Sequence, residues 1–170
     1  MFEFRPVFFF IGVILSVLAV AMCVPAIVDV VHDHQEWLVF AASAGVTLFA
    51  GQVLLLANHQ ACRQALSVRQ MFLLALGGWL SVSLAAALPF AFSGQHMSAT
   101  DAWFEAVSGV TATAATVLHG LDHAPPGLLM WRALLQWLGG MGVLVMATIV
   151  LPQLSIGGMQ IFRIETSGHV

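Results

Sequence analysis

Charged residues interrupt this chain at only a few places, and the runs between them are long. Pro6 to Val28, Trp37 to Cys62, Gln70 to Thr100 and Ala133 to Phe162 hold no Asp, Glu, Lys or Arg. A helix that crosses a bilayer needs about 20 mostly apolar residues, rising 1.5 Å each through roughly 30 Å of hydrocarbon. Every run is long enough. The pattern predicts four spans, over 7–24, 38–57, 71–92 and 130–151.

Composition agrees with the pattern. Of 170 residues, 60% are hydrophobic and 8% charged, where a soluble domain carries about 25% charged residues. A net charge of -3 leaves no basic excess to neutralise phosphates, so nucleic acid is not a partner. Fifteen Gly, 6 Pro and 2 Cys fit neither collagen nor a disulfide scaffold. The fold class is an all-α membrane protein, with the lipid bilayer as its first partner. Arg5, Arg63, Arg69 and Arg163 fall on one side of the predicted spans. Asp29, Asp33, Glu36, Asp101, Glu105 and Asp122 fall on the other. The positive-inside rule then places both termini in the cytoplasm of a multi-pass plasma-membrane protein.

The alternative for the first span is a signal peptide cleaved after Ala19-Val20-Ala21. Glu3 and a single Arg make a weak n-region, and the apolar run is long, so a span is expected. Cys23 and Cys62 lie on opposite faces in this topology, so no disulfide is expected between them.

The connection from Ser93 to Gly127 is more than a loop. Ser93-Gly94 reads as a turn. Ser98 or Thr100 can cap a helix over 99–109, with Asp101 in its first turn and Gly109 as a stop. Such a helix is about 15 Å long, half a bilayer. Thr111-Ala112-Thr113-Ala114-Ala115-Thr116-Val117 follows, small, uncharged and rich in hydroxyls. Two readings fit. One is a re-entrant pore helix followed by a strand whose carbonyls replace an ion's water shell. The other is an interfacial helix lying flat, followed by an ordinary outer loop.

The residues from Trp103 onward choose between them. The run Trp-Phe-Glu-Ala-Val-Ser-Gly-Val-Thr-Ala-Thr-Ala-Ala-Thr-Val-Leu leads through Leu121-Asp122, Pro125-Pro126-Gly127 and Trp131-Arg132. Gln136-Trp137-Leu138-Gly139-Gly140-Met141-Gly142, Leu151-Pro152 and Gly157-Gly158-Met159-Gln160 come after. This stretch closely resembles the first pore unit of the TrkH-type potassium uptake proteins, in the Trk/Ktr/HKT cation transporter superfamily. Detail extends over roughly 100–168, and the earlier spans agree in number and character with that family's N-terminal helix pair. The resemblance implies four transmembrane helices plus one re-entrant pore helix and filter strand. It divides the chain into a helix pair, 1–69, and a helix–pore loop–helix unit, 70–170. It implies ion-binding filter carbonyls at Thr111, Ala112, Thr113, Ala114 and Ala115, with K+ as the transported ion and no other cofactor. Bacterial relatives also dimerise and associate with a cytoplasmic nucleotide-binding regulatory subunit.

Two departures qualify it. Ala114 stands where the family's filter glycine is expected, and a left-handed Ala costs about 1–2 kcal/mol. In plant relatives a Ser replacing that glycine accompanies a preference for Na+, so Na+ stays open as the ion. The family's chains also carry four units, where this one carries one. A single strand cannot surround an ion, so a homo-oligomer or complementary pore-unit chains would complete the path. The competing expectations are a non-conducting structural or regulatory subunit and a non-functional fragment.

Other residues are weighed in that light. Asp101 and Glu105 share a helix face and, with Asp122, form a candidate outer vestibule for cations, with dipole compensation as the plainer role. Arg132 has Asp122 and Glu105 as candidate partners, with snorkelling to headgroups as the favoured reading. Gly139, Gly140 and Gly142 suggest close helix approach or a hinge. His32-Asp33-His34 and the His119/His123 pair raise a zinc site. Zinc needs three or four convergent ligands, and 120–127 reads as loop, so no resident metal is expected. No nucleophile, base or paired carboxylate suggests catalysis, so an enzyme is not expected.

Overall fold

The computed structural model describes residues 4–60, 66–118 and 124–166, with side chains as far as 148 except at 146. Cys62, Arg63, His119, Asp122 and His123 lie outside the described residues. Among those described, every regular element is an α-helix: α1 Arg5–Ala21, α2 Cys23–Val31, α3 Trp37–Ala57, α4 Val68–Phe92, α5 Ala99–Val110 and α6 Pro126–Thr166. Four helical stretches, Arg5–Val31, Trp37–Ala57, Val68–Phe92 and Pro126–Val145, are long and apolar enough to cross a membrane. The four runs read from the sequence correspond to these one for one.

Two spans are longer than the sequence suggests. The first was expected to end at 24, yet α2 continues it to Val31 after a one-residue break at Met22. Pro25 has no N–H to give the carbonyl of Ala21, which explains a local break without ending the helix. The last was expected over 130–151, with Pro152 as a kink or an end, and the helix α6 runs on to Thr166. A proline removes one hydrogen bond, and a membrane helix tolerates that loss when its other bonds persist.

α1 packs along α3, while α4 touches both α1 and α5, and α6 receives α2 and α5. At the α1–α3 crossing, Ser16 Oγ donates to the carbonyl of Gly12 and receives a hydrogen bond from Gln52 Nε2. Polar bonding beside small residues is the usual adhesive between helices in lipid. α4 begins with a reciprocal cap, Ser67 accepting from the Gln70 N–H while the Gln70 amide oxygen takes the Ser67 N–H.

One core ties the helices together. Met22, Phe40, Phe90, Leu128, Trp131 and Leu135 are fully buried. The rings of Phe40 and Trp131 meet edge to face with centroids 6.2 Å apart. Trp131 Nε1 donates to the carbonyl of Ala86 at 3.1 Å. Trp131 is thus an internal bolt between α6 and α4. In contrast, Phe49, Leu56, Leu76, Leu84 and Leu144 point outward from α3, α4 and α6, as expected of side chains facing lipid.

Candidate functional site

The site is built from the inner half of the connection between α4 and α6. Ser98 accepts from the Asp101 N–H at 3.1 Å and donates to the Asp101 carboxylate at 2.6 Å, fixing the start of α5. The 12 residues of α5 make a rod of about 18 Å, too short to cross roughly 30 Å of hydrocarbon. Its apolar face, Ala102, Ala106 and Val110, is buried in the main core.

The far end of α5 sits deep against α6. A Cβ on Gly139 would collide with the backbone carbonyl of Val110, and one on Gly109 would press on Leu135 Cβ at 3.1 Å. Gly139 is 13 residues beyond Pro126, about 20 Å down α6. Gly142 keeps ordinary distance from Trp79, and Gly140 faces open space. The glycine group therefore works as a seat for α5 at Gly139.

After Val110 the chain turns back. Thr111, Ala112 and Thr113 donate their N–H groups to the carbonyls of Val107, Gly109 and Ser108. Ala112 and Ala114 have φ of 54° and 63°, while Thr111 has φ -85°. The left-handed backbone at Ala114 is the one that its expected glycine counterpart would adopt freely; Ala112 doubles the feature. Thr111 to Ala114 are exposed. The Thr111 and Thr113 hydroxyls are 2.8 Å apart, and Thr111 Oγ1 also donates to the Val107 carbonyl.

A buried charge pair holds this segment from behind. Glu105 is 0% exposed and pairs with Arg132 through Oε1 and Nη1 at 2.5 Å. Among the described residues neither of those two atoms has another partner. The second Glu105 oxygen accepts from Thr116 Oγ1 at 3.1 Å and from the Val117 N–H at 3.0 Å. Arg132 Nη2 donates to the carbonyls of Ala114 and Ala115 at 3.3 and 3.4 Å. Ser108 Oγ donates to the Ala115 carbonyl at 2.6 Å. The carbonyls of Thr111, Ala112 and Thr113 have no protein donor among the described residues.

The structure therefore separates Asp101 from Glu105, which the sequence places on one face. Asp101 is exposed near the start of α5, while Glu105 faces protein and its paired arginine. Arg132 is not snorkelling; it is 13% exposed and bonded to Glu105. Among the described residues no group of three His, Cys, Asp or Glu converges as a metal site would require.

Two further acids escaped the sequence reading. Asp29, expected in an outer loop, lies in α2, 0% exposed, and accepts the Gly127 N–H at 2.7 Å. Glu36 accepts the Gly94 N–H at 2.9 Å. A signal did exist for the first: Pro125-Pro126-Gly127 opens a helix with no Ser, Thr, Asp or Asn to cap it, which calls for a cap from elsewhere.

The model of a cation transport protein family, TrkH, matches residues 38–170. The chain belongs to the TrkH family. A TrkH of Vibrio parahaemolyticus, a Trk system potassium uptake protein, is 37% identical over 169 residues, 99% of this chain and 35% of that protein. The TrkH of Halomonas elongata is 38% identical over 159 residues, 93% of this chain and 33% of its own length. The crystal structure of the potassium transporter TrkH from Vibrio parahaemolyticus superposes with a TM-score of 0.84 at 35% identity. It covers 92% of this chain and 34% of the solved one. The chain thus spans about a third of the length of the TrkH relatives it matches.

Two modest substitutions probe the TrkH segment directly. Ala114→Gly removes about 1–2 kcal/mol of left-handed strain, offset by roughly 0.4–1 kcal/mol of added unfolded-state entropy. A small net rise in thermal midpoint is expected, read by a melting curve in detergent. Ser108→Ala removes the shortest bond to the Ala115 carbonyl and is expected to lower stability by about 1 kcal/mol in the same assay.

Proposed function

We propose that this chain supplies one pore-loop unit to a membrane path for potassium. The N-terminal helix pair, 1–69, frames the unit, and 70–170 forms it. The observation that carries the reading is the excursion of α5. It descends α6 as far as Gly139, and the following strand climbs back to Arg132. Both ends of the excursion are held, Gly94 by Glu36 just before α3 and Gly127 by Asp29 in α2. Irregular backbone at membrane depth is tolerated where it lines a cavity or is buried in protein. In this reading α5 is a re-entrant pore helix and 111–115 is a filter strand.

The strand's chemistry suits a monovalent cation. The sign of φ alternates from Thr111 to Ala114. Thr111, Ala112 and Thr113 are the principal carbonyl ligands. The carbonyl of Ala114 shares itself with Arg132, and that of Ala115 is committed to Ser108. Carbonyls replace the ion's hydration shell, and the negative end of the α5 dipole favours its charge. Asp101, exposed at the outer start of α5, raises the local cation concentration. Both termini are cytoplasmic and the membrane is the bacterial inner membrane. Further units come from copies of this chain or from complementary chains, and a cytoplasmic nucleotide-binding subunit regulates them.

A second reading is a non-conducting structural or regulatory subunit, favoured by the guanidinium held against the Ala114 and Ala115 carbonyls. Uptake of K+, Rb+ and Na+ into vesicles decides between them, using this chain together with the membrane chains that copurify with it. Saturable uptake of Rb+, with a Rb+/Na+ ratio that changes in Ala114→Gly, supports the ion path. Absence of uptake in every combination supports the scaffold.

A further inference from the structure

The helix pair 5–57 and the pore-loop unit share two polar contacts that sequence distance conceals. Asp29 and Gly127 are 98 positions apart, and Glu36 and Gly94 are 58 apart. Both donors are glycine N–H groups, and they flank the whole connection that carries α5 and the strand. Gly94 follows the last residue of α4 by two positions, and Gly127 is the second residue of α6. Both acceptors lie within eight positions of each other, Asp29 in the last turns of α2 and Glu36 immediately before α3. The stretch between them is itself fixed: the His34 N–H donates to the Asp29 carbonyl at 2.9 Å and the Asp33 N–H to the Val30 carbonyl at 3.2 Å. Asp33 takes φ 54° to close the turn.

Any other residue at Gly127 would displace the Asp29 side chain. A Cβ there would fall on the carboxyl group of Asp29, which is fully buried. A first-turn N–H of a helix has no intrahelical partner, and a carboxylate is favoured at that end by the helix dipole. With Asp29 0% exposed, the bond is shielded from competing water, so it is stronger than a surface cap. At Gly94 a Cβ would press on the Glu36 carboxylate at 3.0 Å.

We propose that Asp29 and Glu36 form a two-point clamp that sets the spacing of the two ends of the pore loop, and with it the position of the strand 111–115. They are positioning residues. The clamp gives the N-terminal helix pair a role: it fixes the outer frame from which α5 hangs. The consequence for ions rests on the proposed ion path; the mechanical coupling does not.

The test follows hydrogen–deuterium exchange across 94–118 and 124–131 in the full chain in membranes, with Rb+ and Na+ uptake measured on the same preparations. Asp29→Ala is expected to speed exchange tenfold or more in the first turn of α6 and also in α5 and the strand. Asp29→Asn keeps an acceptor oxygen toward Gly127 and is expected to restore protection and the Rb+/Na+ uptake ratio. Glu36→Ala is the milder variant and carries the test if Asp29→Ala does not assemble; Glu36→Gln is its rescue. Exchange that rises only at the substituted contact, leaving 99–118 as in the parent, overturns the clamp, as does failure of both amide variants to restore protection. Exchange that spreads to the strand while the parent protein moves no Rb+, alone or together with the membrane chains that copurify with it, supports the clamp and refutes the ion path.

Discussion

Glu105→Ala is expected to cost about 3–5 kcal/mol, the usual penalty for leaving one member of a buried ion pair alone. Three groups lose their partner at once. Arg132 is left with a buried charge, and Thr116 Oγ1 and the Val117 N–H lose their shared acceptor. The same change frees the guanidinium that reaches the Ala114 and Ala115 carbonyls. Thermal unfolding in detergent and Rb+ uptake should therefore fall together. Glu105→Gln keeps an oxygen for Thr116 and Val117 but not the charge, so an intermediate loss is expected. The double change Glu105→Leu with Arg132→Met separates fold from site. A buried pair replaced by apolar residues is often neutral or stabilising. Stability is expected to recover while uptake stays low, because nothing then ties the strand to α6.

Gly139→Ala is expected to have the second largest effect. The obstructing atoms belong to the Val110 backbone, and backbone at a helix end cannot step aside as a flexible side chain can. Overpacking of this kind costs typically 1–3 kcal/mol, and a backbone obstacle puts this site at the upper end, near 3. The end of α5 and the strand after it must move away from α6. Gly140→Ala is the matched control. It faces open space, so the substitution should be neutral or stabilise the helix by about 1 kcal/mol through propensity alone. A melting curve and Rb+ uptake on the two variants distinguish a seat from a general need for glycine in this run.

The spans were legible because lipid imposes a simple rule: long runs without charge must be helices. The start of α5 was legible for a local reason too, since Ser98 and Asp101 cap a helix within four residues. Local rules failed where a partner lay far along the chain. Asp29 read as a loop charge because Gly127, which needs it, is 98 positions away. Glu105 reads both as half of an outer acidic face, from its helical spacing to Asp101, and as one of two candidate partners of Arg132, and only the packing of α5 on α6 selects the pair. Pro152 left two outcomes open, a kink or an end of the helix, and α6 continues past it because a lost hydrogen bond alone does not end a membrane helix. At Ala114 the resemblance anticipated a left-handed backbone, but nothing in the sequence singled out the same conformation at Ala112.

The ion path is tested most directly by anomalous diffraction from crystals of the membrane assembly grown with Tl+ or Rb+ in place of K+. The account predicts a peak within coordinating distance of the Thr111, Ala112 and Thr113 carbonyls, lost when Glu105→Ala releases the strand. Ordered strands with no peak at those carbonyls, in crystals that show the ion elsewhere, would contradict it.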